Sequence, residues 1–353
     1  MEKLNVLFTS VGNLAFPTVR ECLKKTFPDC KIVGTDVRVN AHGLYFCDKK
    51  YMVDYRNSPN YLRQIFYIIE KEAINILFPL STEDQSFFSK NIDVFERRGI
   101  KVICSDFDVV DVVNNKFKLY NKLKELKLPY PAFYKIERFS EVNNIIEKIG
   151  YPFVIKSFTG TGGKGLYIID KDPNSLRKDD MKFFERYDDF ISNIERYVKL
   201  ENTMICEYLS GDEYSVDTLS KDGKFYYGVV RKRYASEGGM ALEAEVIKDD
   251  NLLELAQRVV KYLRLSYINN IQIKRDKKGI PKIMEINPRI PGTLILSIKA
   301  GADFIVDAIK LAYNDKVEIP KKIRYGLKII RYWTGVFVSK EDEASIIDLR
   351  KQT

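Results

Sequence analysis

The sequence predicts an α/β half with a Rossmann-like parallel sheet, followed by an α+β part built from antiparallel strands. In residues 1–110, short apolar runs alternate with stretches of helical period, an order typical of a parallel sheet. After the proline-rich segment LPYPAF at 128–133, apolar runs follow one another across turn-forming residues, an order typical of hairpins. We therefore expect two or three subdomains in this chain of 353 residues.

The first part opens as a strand–helix–strand unit. KLNVLFTS predicts a strand, a helix is expected to begin near Pro17, and KIVGTD predicts a second strand that ends at Asp36. Helices are predicted over 60–73 and 84–98, with strands at INILFPL and KVICS. The first turn holds one glycine, Gly12, so it departs from the G-x-G-x-x-G dinucleotide fingerprint.

Two loops of this first part directly follow predicted strands. They are Thr9–Asn13 and Ser81–Asp84. Ligands of open α/β sheets bind at the carboxyl ends of the strands, so both loops are candidates to hold a second substrate.

The second part begins with a helix predicted over Asp111–Leu126. YPFVIKSF and LYIID then predict two strands joined by the glycine-rich loop GTGGKG at 160–165, and the charged residues 174–200 are predicted to be helical. MICEYL, YSVDTLS and KFYYGVVRKRYA predict further antiparallel strands. Other helices are predicted over 140–149, 250–264 and 301–313.

The glycine-rich loop has the letters of a dinucleotide fingerprint but not its context. That fingerprint opens a helix, whereas LYIID continues as a strand, and a Walker A loop needs Ser or Thr where Gly165 stands. Glycines still let a backbone approach phosphate oxygens closely and point N–H groups at them. We therefore predict nucleotide-phosphate contacts from Gly160, Thr161, Gly162, Gly163 and Lys164.

Two further lysines accompany this loop. Lys156 follows the apolar run FVI just before the loop, and Lys116 lies in the preceding helical segment. Each ammonium is placed to approach a phosphate, with a solvated surface lysine as the alternative for either one alone.

A hairpin with acids and amides on one face is predicted by the runs NIQIK and PKIMEIN on either side of DKKG. A two-residue turn at Lys278–Gly279 places Gln272 opposite Glu285 and Asn270 opposite Asn287. These oxygen-bearing side chains therefore face one another across the two strands.

Side chains alternate along the second strand of this hairpin. Glu285 and Asn287 share a face, while Met284 and Ile286 are expected to point into a core. Oxygen ligands suit Mg²⁺, which completes its shell with substrate phosphates and water. We therefore predict a metal site formed by Gln272, Glu285 and Asn287, with a solvated surface hairpin as the alternative.

Arginines lie beside these positions. Arg289 is two residues beyond Asn287 on the same alternation, so its guanidinium is placed to clamp a transferred phosphoryl group. Arg231 and Arg233 share a strand face, and the SEGGM sequence that follows them predicts a substrate lid.

Composition narrows the class of protein. The 58 basic and 49 acidic residues give a net charge of +9, but the two signs interleave, which favours nucleotides over nucleic acid as the anionic partner. Five separated cysteines lack a zinc-binding spacing, and we expect a reduced, soluble, cytoplasmic protein with no membrane partner. The single histidine, His42, leaves no Ser/His/Asp or Cys/His constellation and precedes the glycine loop, which excludes a kinase catalytic loop.

The order of these parts resembles the ATP-grasp superfamily, most closely its carbamoyl-phosphate-synthase-like and carboxylate-amine ligase branch. Lys116, Lys156, the glycine loop, EYLSGDEYSVD and the hairpin ending in MEINPR follow the family's order over about residues 1–315. The resemblance implies ATP and Mg²⁺ (or Mn²⁺) as cofactors. It also implies an ATP-grasp fold with a Rossmann-like pre-ATP-grasp domain at 1–110, a linker helix and lid subdomain at 111–205, a nucleotide and metal subdomain at 206–338, and a helical or frayed appendix at 339–353.

The resemblance also implies roles for nucleotide-binding residues. Glu207 accepts a hydrogen bond from the adenine amino group, and the backbone at Tyr208 and Leu209 contacts the ring edge. Glu213 holds the ribose hydroxyls or belongs to the metal region. A polar strand face shared by Glu213 with Ser215 and Asp217, which have the same parity, is the alternative.

Metal and substrate roles follow from the same resemblance. Glu285 bridges two magnesium ions and Asn287 is a second ligand, while Gln272 stands where many relatives have an acid. Arg231 and Arg233 bind a substrate carboxylate.

These roles imply an ATP-dependent ligase that activates a carboxylate as an acyl phosphate and transfers it to an amine, or to a thiol, with ADP and phosphate as products. Small-molecule carboxylate and amine substrates are the expected partners, and a homodimer stays open. The alternatives are an enzyme that phosphorylates bicarbonate or a carbamate, and a noncatalytic ATP-binding sensor. Nucleic-acid binding is the least supported.

Overall fold

The computed structural model describes residues 3–160, 165–172, 174, 176, 183–237 and 240–351. Within them, one parallel sheet precedes two largely antiparallel sheets, which confirms the predicted division into α/β and α+β parts. Four predicted loop residues lie outside the described residues: Thr161, Gly162, Gly163 and Lys164. Among the helices that the structure describes, none combines the length and the apolar character required to cross a membrane.

The N-terminal part forms a parallel sheet. Its strands are β1 (Asn5–Thr9), β2 (Lys31–Asp36), β3 (Lys49–Met52), β4 (Ile76–Pro79), β5 (Lys101–Val102) and β17 (Ile347–Asp348). They lie in the order β17–β3–β2–β1–β4–β5. The accompanying helices are α1 (Phe16–Thr26), α2 (Tyr61–Glu72), α3 (Thr82–Lys90), α4 (Ile92–Glu96) and α5 (Phe107–Val113), with a 3₁₀ helix at His42–Phe46.

The middle part is a smaller sheet with helices on it. Its elements are α6 (Lys116–Glu125), β6 (Phe133–Lys135), α7 (Val142–Ile149), β7 (Phe153–Ser157), β8 (Leu166–Asp170), β9 (Phe184–Arg186), α8 (Tyr187–Ser192), α9 (Ile194–Tyr197) and β10 (Thr203–Glu207). The strand order is β6–β10–β7–β8–β9. Strands β7 and β8 pair antiparallel around the glycine-rich loop, as the sequence predicted. The prediction of a helical 174–200 is wrong at β9, because Phe184 pairs with Ile168 and extends the sheet.

The third sheet is antiparallel throughout. Its strands are β11 (Glu213–Lys221), β12 (Lys224–Glu237), β13 (Met240–Ile247), β14 (Tyr267–Arg275), β15 (Pro281–Asn287) and β16 (Lys328–Ile330). They lie in the order β15–β14–β11–β12–β13–β16. The helices that follow its strands are α10 (Asp250–Leu263), α11 (Leu294–Lys299), α12 (Phe304–Ala312) and α13 (Lys340–Ala344).

Helix α10 shows why the sequence folds as it does beside the third sheet. The Asp249 side chain caps its first turn by accepting from the Leu252 N–H at 3.0 Å. Apolar residues recur at helical spacing, so one face is buried under the sheet. The helix ends at Arg264, whose left-handed φ of 56° stops the helical repeat.

The predicted hairpin forms with its register confirmed at the site. Gln272 pairs with Glu285, and Asn270 pairs with Asn287. The predicted two-residue turn is wrong, because Asp276 and Ile280 close a three-residue turn through a backbone hydrogen bond of 2.9 Å. A bulge restores the register.

Met284 lies at that bulge. The pairing of β14 with β15 passes from Ile283 to Glu285 without a partner for Met284. The expectation that Met284 points into the core is therefore wrong, since Ile283 and Ile286 take the buried positions and Met284 is half-buried.

The C-terminal segment contains a helix, α13, as expected, and a strand that the sequence did not predict. Ile347 pairs with Tyr51, so β17 adds a strand to the parallel sheet. Leu349, which follows, is 4% exposed, and its carbonyl accepts from the Gln64 side chain at 3.2 Å. Residues 347–351 are thus held against the N-terminal part by strand pairing and burial.

The first and third sheets share a hydrophobic core. Phe8 and Phe16 from the N-terminal part pack in one cluster with Leu219 of β11 and with Ile305 and Ile309 of α12. This packing fixes the carboxyl end of β1 against the third sheet, where the predicted metal and substrate residues lie.

Candidate functional site

A cavity of about 280 Å³ lies where the first turn of the parallel sheet meets the third sheet. The turn after β1 contributes Gly12, Asn13 and Leu14 to its wall. Predicted metal and substrate residues form much of the remaining wall: Arg231, Arg233, Gln272, Asn287 and Arg289. Residues chosen on separate sequence grounds therefore meet at one place.

Hydrogen bonds to residues at the ends of the neighbouring strands β2 and β4 fix the turn after β1, which forms part of the cavity wall. The Gly12 N–H donates to the Asp36 carboxylate at 2.8 Å, and the Asn13 side chain donates to the Leu80 carbonyl at 2.9 Å. A Cβ atom at Gly12 would lie 2.5 Å from the end of the exposed Arg38 side chain and 3.1 Å from the Asp36 carboxylate, so a larger residue would have to displace Arg38.

The second predicted loop, Ser81–Asp84, reaches the site through one residue. The Thr82 hydroxyl accepts from Arg289 Nε at 3.1 Å. Asp84 is instead buried and accepts from the Thr9 hydroxyl at 2.8 Å, which ties the two loops together. Burial raises the pKa of Asp84, while Ser10 and other partners oppose that shift.

Arg231 lies at the floor of the cavity in a buried ion pair. Its Nε and Nη2 donate to the two oxygens of Asp217 at 2.8 and 2.7 Å. Asn270 and Ser297 also donate to Asp217, at 2.7 and 2.6 Å. The Arg231 side chain is 2% exposed, so Asp217 fixes its direction and neutralises its charge.

Arg233 lies two residues beyond Arg231 on β12. Its Nε is 3.1 Å from the Glu213 carboxylate, and the two residues are register partners across β11 and β12. Because Glu213 is only half-buried, this pair lies closer to solvent than the pair of Arg231 with Asp217.

Glu285 lies at the centre of the predicted metal residues. Its Oε1 accepts from the Asn287 amide at 3.0 Å, and its Oε2 is 3.5 Å from the Lys116 ammonium. Burial opposes ionisation of Glu285, but Lys116, Asn287, Lys156 and Arg233 together lower its pKa below the ordinary value. The carboxylate is therefore ionised at neutral pH.

Arg289 continues this chain of contacts. Its Nη2 is 3.5 Å from the Asn287 amide oxygen. Burial lowers the pKa of the Arg289 guanidinium, and Glu285 and Glu83 oppose that effect. With Thr82 holding Nε, the guanidinium has a fixed direction at the cavity wall.

The donor set fits a magnesium ion that arrives with phosphates. Glu285 supplies one carboxylate, and Gln272 and Asn287 supply amide oxygens. Among the described residues, no three His, Cys, Asp or Glu side chains gather to hold a cation alone. The ammonium of Lys116 also lies beside Glu285, so a magnesium ion held here would need further negative charge from bound phosphates.

Lys156 is oriented by a residue that the sequence analysis did not single out. Its ammonium donates to the Tyr120 hydroxyl at 2.6 Å and lies 4.8 Å from that ring's centre. The same hydroxyl donates to the Met284 carbonyl at 2.8 Å. Met284 lies at the bulge and has no register partner in β14, and Tyr120 joins the lysine to the hairpin of β14 and β15 through this carbonyl.

Lys116 and Gly160 mark where the glycine loop begins. The Lys116 ammonium donates to the Gly160 carbonyl at 2.8 Å. Gly160 has a φ of 142°, which non-glycine residues rarely adopt. The loop therefore leaves β7 beside the lysine that contacts Glu285.

Glu207, predicted to meet adenine, lies at the end of β10. Both of its carboxylate oxygens accept from the Lys282 ammonium, at 2.8 and 2.7 Å, and one also accepts from the Ala132 N–H at 3.0 Å. Tyr208 and Leu209 follow in the connection to β11, and Leu209 is buried. Lys282, on β15, thus links Glu207 to the strand that carries Glu285 and Asn287.

The structure adds four residues to the predicted set: Thr82, Tyr120, Asp217 and Lys282. Three had a signal in the sequence. Thr82 belongs to the predicted loop Ser81–Asp84, Tyr120 is four residues after Lys116, one helical turn away, and Asp217 shares the parity of Glu213. Lys282 meets its partner only through the tertiary fold.

Comparison with protein families identifies three segments. A family model described as "ATP-grasp domain" matches residues 121–233, and "ATP-grasp in the biosynthetic pathway with Ter operon" matches residues 199–333. "PylC-like, N-terminal domain" matches residues 6–103. The matches cover both the parallel sheet and the site.

Curated relatives include large chains of carbamoyl phosphate synthase. That of Clostridium acetobutylicum is 23% identical over 250 residues, covering 67% of this chain and 22% of the relative. The arginine-specific large chain of Geobacillus stearothermophilus is 23% identical over 313 residues, covering 85% of this chain and 27% of the relative. The chain thus spans about a quarter of the length of these relatives.

Solved structures share the fold. Biotin carboxylase from Campylobacter jejuni superposes with a TM-score of 0.70 at 18% identity, covering 92% of this chain and 74% of that chain. L-amino acid ligase from Bacillus licheniformis gives 0.67 at 15% identity, covering 88% and 74%. The two ATP-grasp family models together span residues 121–333, so the chain belongs to the ATP-grasp superfamily, and it is similar in sequence to large chains of carbamoyl phosphate synthase.

Proposed function

We propose that the chain is an ATP-dependent ligase that joins a carboxylate to an amine, or to a thiol, through an acyl phosphate, with release of ADP and phosphate. One observation carries the proposal. The cavity brings Arg231, Arg233 and Arg289 together with two predicted metal ligands, Gln272 and Asn287. Anionic substrate groups and the metal-bound phosphates can therefore meet in one cleft.

The nucleotide side of the proposal rests on the second group of residues. Lys116 and Lys156 lie around Glu285 at the start of the glycine loop, where a phosphate chain needs cations. Lys282, on the same strand as Glu285, and Glu207, at the end of β10, offer hydrogen-bonding groups for a base. ATP would thus lie between the second and third sheets, with its γ-phosphate toward the cavity.

The reaction needs positioned charge rather than a protein nucleophile. A substrate carboxylate oxygen attacks the γ-phosphorus, the bond from that phosphorus to the bridging oxygen breaks, and ADP leaves. The amine then attacks the acyl carbon, loses its proton to a base or to solvent, and displaces phosphate. Magnesium held by Gln272, Glu285 and Asn287 would neutralise charge on the phosphates.

Individual side chains have separable tasks in this scheme. Arg289, fixed by Thr82, faces the phosphoryl group in transfer, and Arg233 faces the carboxylate. Arg231 is neutralised by Asp217, so it shapes the floor of the cavity and supplies a directed hydrogen-bond donor rather than net charge.

Phosphorylation of bicarbonate is the second candidate. Carbamoyl phosphate synthase large chains among the relatives favour it, as does a structural neighbour whose complex contains bicarbonate. The cavity volume of about 280 Å³ favours a larger acid. One water molecule occupies roughly 30 Å³ of liquid, and bicarbonate needs only a few such volumes.

The test is release of ADP from magnesium ATP with pooled carboxylates, with and without pooled amines. The proposal predicts ADP that depends on both pools and is lost in Glu285→Gln. Glu254→Gln, an exposed glutamate on α10, is the matched control and retains activity.

Two results would contradict the ligase proposal. ADP released with bicarbonate alone would select the bicarbonate candidate. No ADP with any pool, together with a melting temperature raised by ATP, would indicate a nucleotide sensor.

A further inference from the structure

A strip of exposed apolar and basic side chains lies at the C-terminal edge of the third sheet, from Ile319 to Val338. We refer to these residues as the edge strip. Tyr332, Trp333 and Phe337 within it are 84%, 78% and 98% exposed. Contiguous apolar surface of this kind is uncommon on monomeric proteins and marks an interaction site.

The edge strip contains a strand with one unpaired side. Strand β16 pairs with β13, for example through Ile329 with Ala244, and it is the last strand of the third sheet. In the part of the chain that the structure covers, no strand pairs with its other side. Such an edge offers backbone N–H and C=O groups to which an extended peptide can add as a further strand.

The edge strip also meets the cavity. Arg331 donates to the Gly292 carbonyl at 2.6 Å and to the Ala241 carbonyl at 3.2 Å. Gly292 and Met240, the neighbour of Ala241, both line the cavity. A peptide lying along β16 therefore reaches the cavity wall at Arg331.

Charge selects the occupant. The strip has no acidic residue and five basic ones, which are Lys321, Lys322, Arg324, Lys328 and Arg331. Lys328 is paired with Glu245 of β13 at 3.5 Å, which leaves the other four for an anionic partner. The acidic helix α13 follows the strip, but its Asp342 faces Lys50 of the parallel sheet. A second copy docked symmetrically would place like charges against one another, so an anionic partner fits better. A lipid surface would use the charges and the aromatic rings but leave the strand edge unpaired, whereas an acidic peptide uses all three.

We propose that the edge strip binds an acidic peptide in extended form beside β16 and presents its carboxylate to the cavity. The inference rests on the proposed function and names its carboxylate substrate as a peptide, in place of the small molecule that the sequence analysis expected. The peptide carboxylate takes the same step as any other acid there: its oxygen bonds to the γ-phosphorus and ADP leaves. Aromatic side chains of the strip cover the alternate side chains of the bound strand.

Trp333 is the one tryptophan of the chain and reports on this surface directly. The full-length protein without ATP is titrated with hexaglutamate, and hexalysine serves as the control peptide. We expect Trp333 emission to move to shorter wavelength and to saturate with hexaglutamate only. Added salt should weaken this binding, because exposed charges are screened.

Variants with equal charge change locate the contact. Lys321→Glu with Lys322→Glu should weaken hexaglutamate binding by about tenfold or more, since like charges then oppose the peptide. Lys277→Glu with Lys278→Glu makes the same change on the exposed hairpin turn at the opposite edge of the sheet and should leave binding unchanged.

Three outcomes would overturn the inference. Emission that responds only to vesicles of phosphatidylserine and phosphatidylcholine would assign the strip to a lipid surface. A shift that grows with protein concentration, with a dimer in sedimentation, would assign it to a second copy. Trp333 emission that changes with none of these probes would show that the edge strip is not a binding site for them. Trp333 emission is measured without ATP, so the two proposals can fail separately. ADP release without a change in Trp333 emission would contradict only the proposal that the edge strip binds a peptide. Peptide binding without ADP release would contradict only the proposed ligase activity.

Discussion

At the residue scale, the Tyr120 hydroxyl connects a predicted phosphate-binding lysine, Lys156, with the hairpin that carries the predicted metal ligands. It accepts from Lys156 and donates to the carbonyl of Met284, the bulged residue of the metal hairpin. The ring is fully buried, and burial raises the pKa of the hydroxyl, so it stays protonated and able to donate. The position of Lys156 therefore depends on Tyr120.

Tyr120→Phe tests this dependence. We expect a loss of about 1 to 3 kcal/mol in the free energy of unfolding, since a carbonyl loses its partner. We also expect a several-fold rise in the KM for ATP, because Lys156 loses its fixed direction. Urea unfolding and steady-state kinetics measure the two effects, and Tyr134→Phe, an exposed tyrosine on β6, is the control. An unchanged KM would show that Lys156 does not need this contact.

Glu285 leads to a prediction about the order of binding. Its carboxylate lies beside Lys116, and no group of three acidic, histidine or cysteine ligands occurs in the described ranges. We expect Mg²⁺ alone to bind with no measurable heat in calorimetry at millimolar concentration, and to bind when a non-hydrolysable ATP analogue is present. Tight binding of Mg²⁺ to the free protein would contradict the assigned ligand set.

At the scale of elements, two of the ion pairs made by residues of strand β12 have opposite surroundings. Asp217 and Arg231 are buried, at 0% and 2% side-chain exposure, whereas Asp212 and Lys232 are partly exposed, at 42% and 28%. Removing one partner of a buried pair leaves an uncompensated charge, but an exposed pair contributes little.

Asp217→Asn should therefore lower the free energy of unfolding by about 3 to 5 kcal/mol. Asp212→Asn, on the same sheet, should lower it by about 1 kcal/mol or less. Urea titrations of the two variants give the comparison. Equal small losses would mean that Arg231 finds another partner and that Asp217 does not fix it.

The end of helix α2 gives a pH dependence. Glu72 is buried and accepts from the Tyr51 hydroxyl and from Lys31, which is 3.1 Å away. Burial opposes its ionisation, but the contacts with Tyr51 and Lys31 lower the pKa of Glu72 below its ordinary value. The stabilisation is therefore present above the ordinary pKa of glutamate and is lost as the pH falls through the lower pKa of the folded state.

Glu72→Gln should remove this contribution. Between about pH 6 and about pH 3, the variant should lose less free energy of unfolding than the native chain. Glu70→Gln, an exposed residue of the same helix, should keep the native pH dependence. Parallel pH profiles for native and Glu72→Gln chains would count against the ionised contact.

At the scale of the whole molecule, the sequence predicted what depends on local patterns. Apolar alternation placed Gln272 opposite Glu285 and Asn270 opposite Asn287, and the structure has that pairing. The turn itself was wrong, because the Asp276 side chain closes a different one by accepting from the Ile280 N–H. The bulge then moves the strand by one residue, which returns the site to the predicted register.

Contacts between distant segments could not be read from local patterns. Strand β17 has two residues and pairs with β3, from the opposite end of the chain. Its apolar pattern is too short to predict a strand, so the pairing follows from the burial of Leu349 against the parallel sheet. Thr82 contacts Arg289 for the same kind of reason, since the shared core of the first and third sheets brings them together.

The proposed ligase activity depends on transfer of the γ-phosphoryl group to a carboxylate in the cavity. The most direct measurement uses pooled carboxylates labelled with oxygen-18, magnesium ATP and pooled amines, with mass spectrometry of the released phosphate. An acyl phosphate passes one carboxylate oxygen to phosphate, so we predict labelled phosphate that is absent in Glu285→Gln. Unlabelled phosphate released together with ADP would show that the labelled carboxylates do not receive the phosphoryl group.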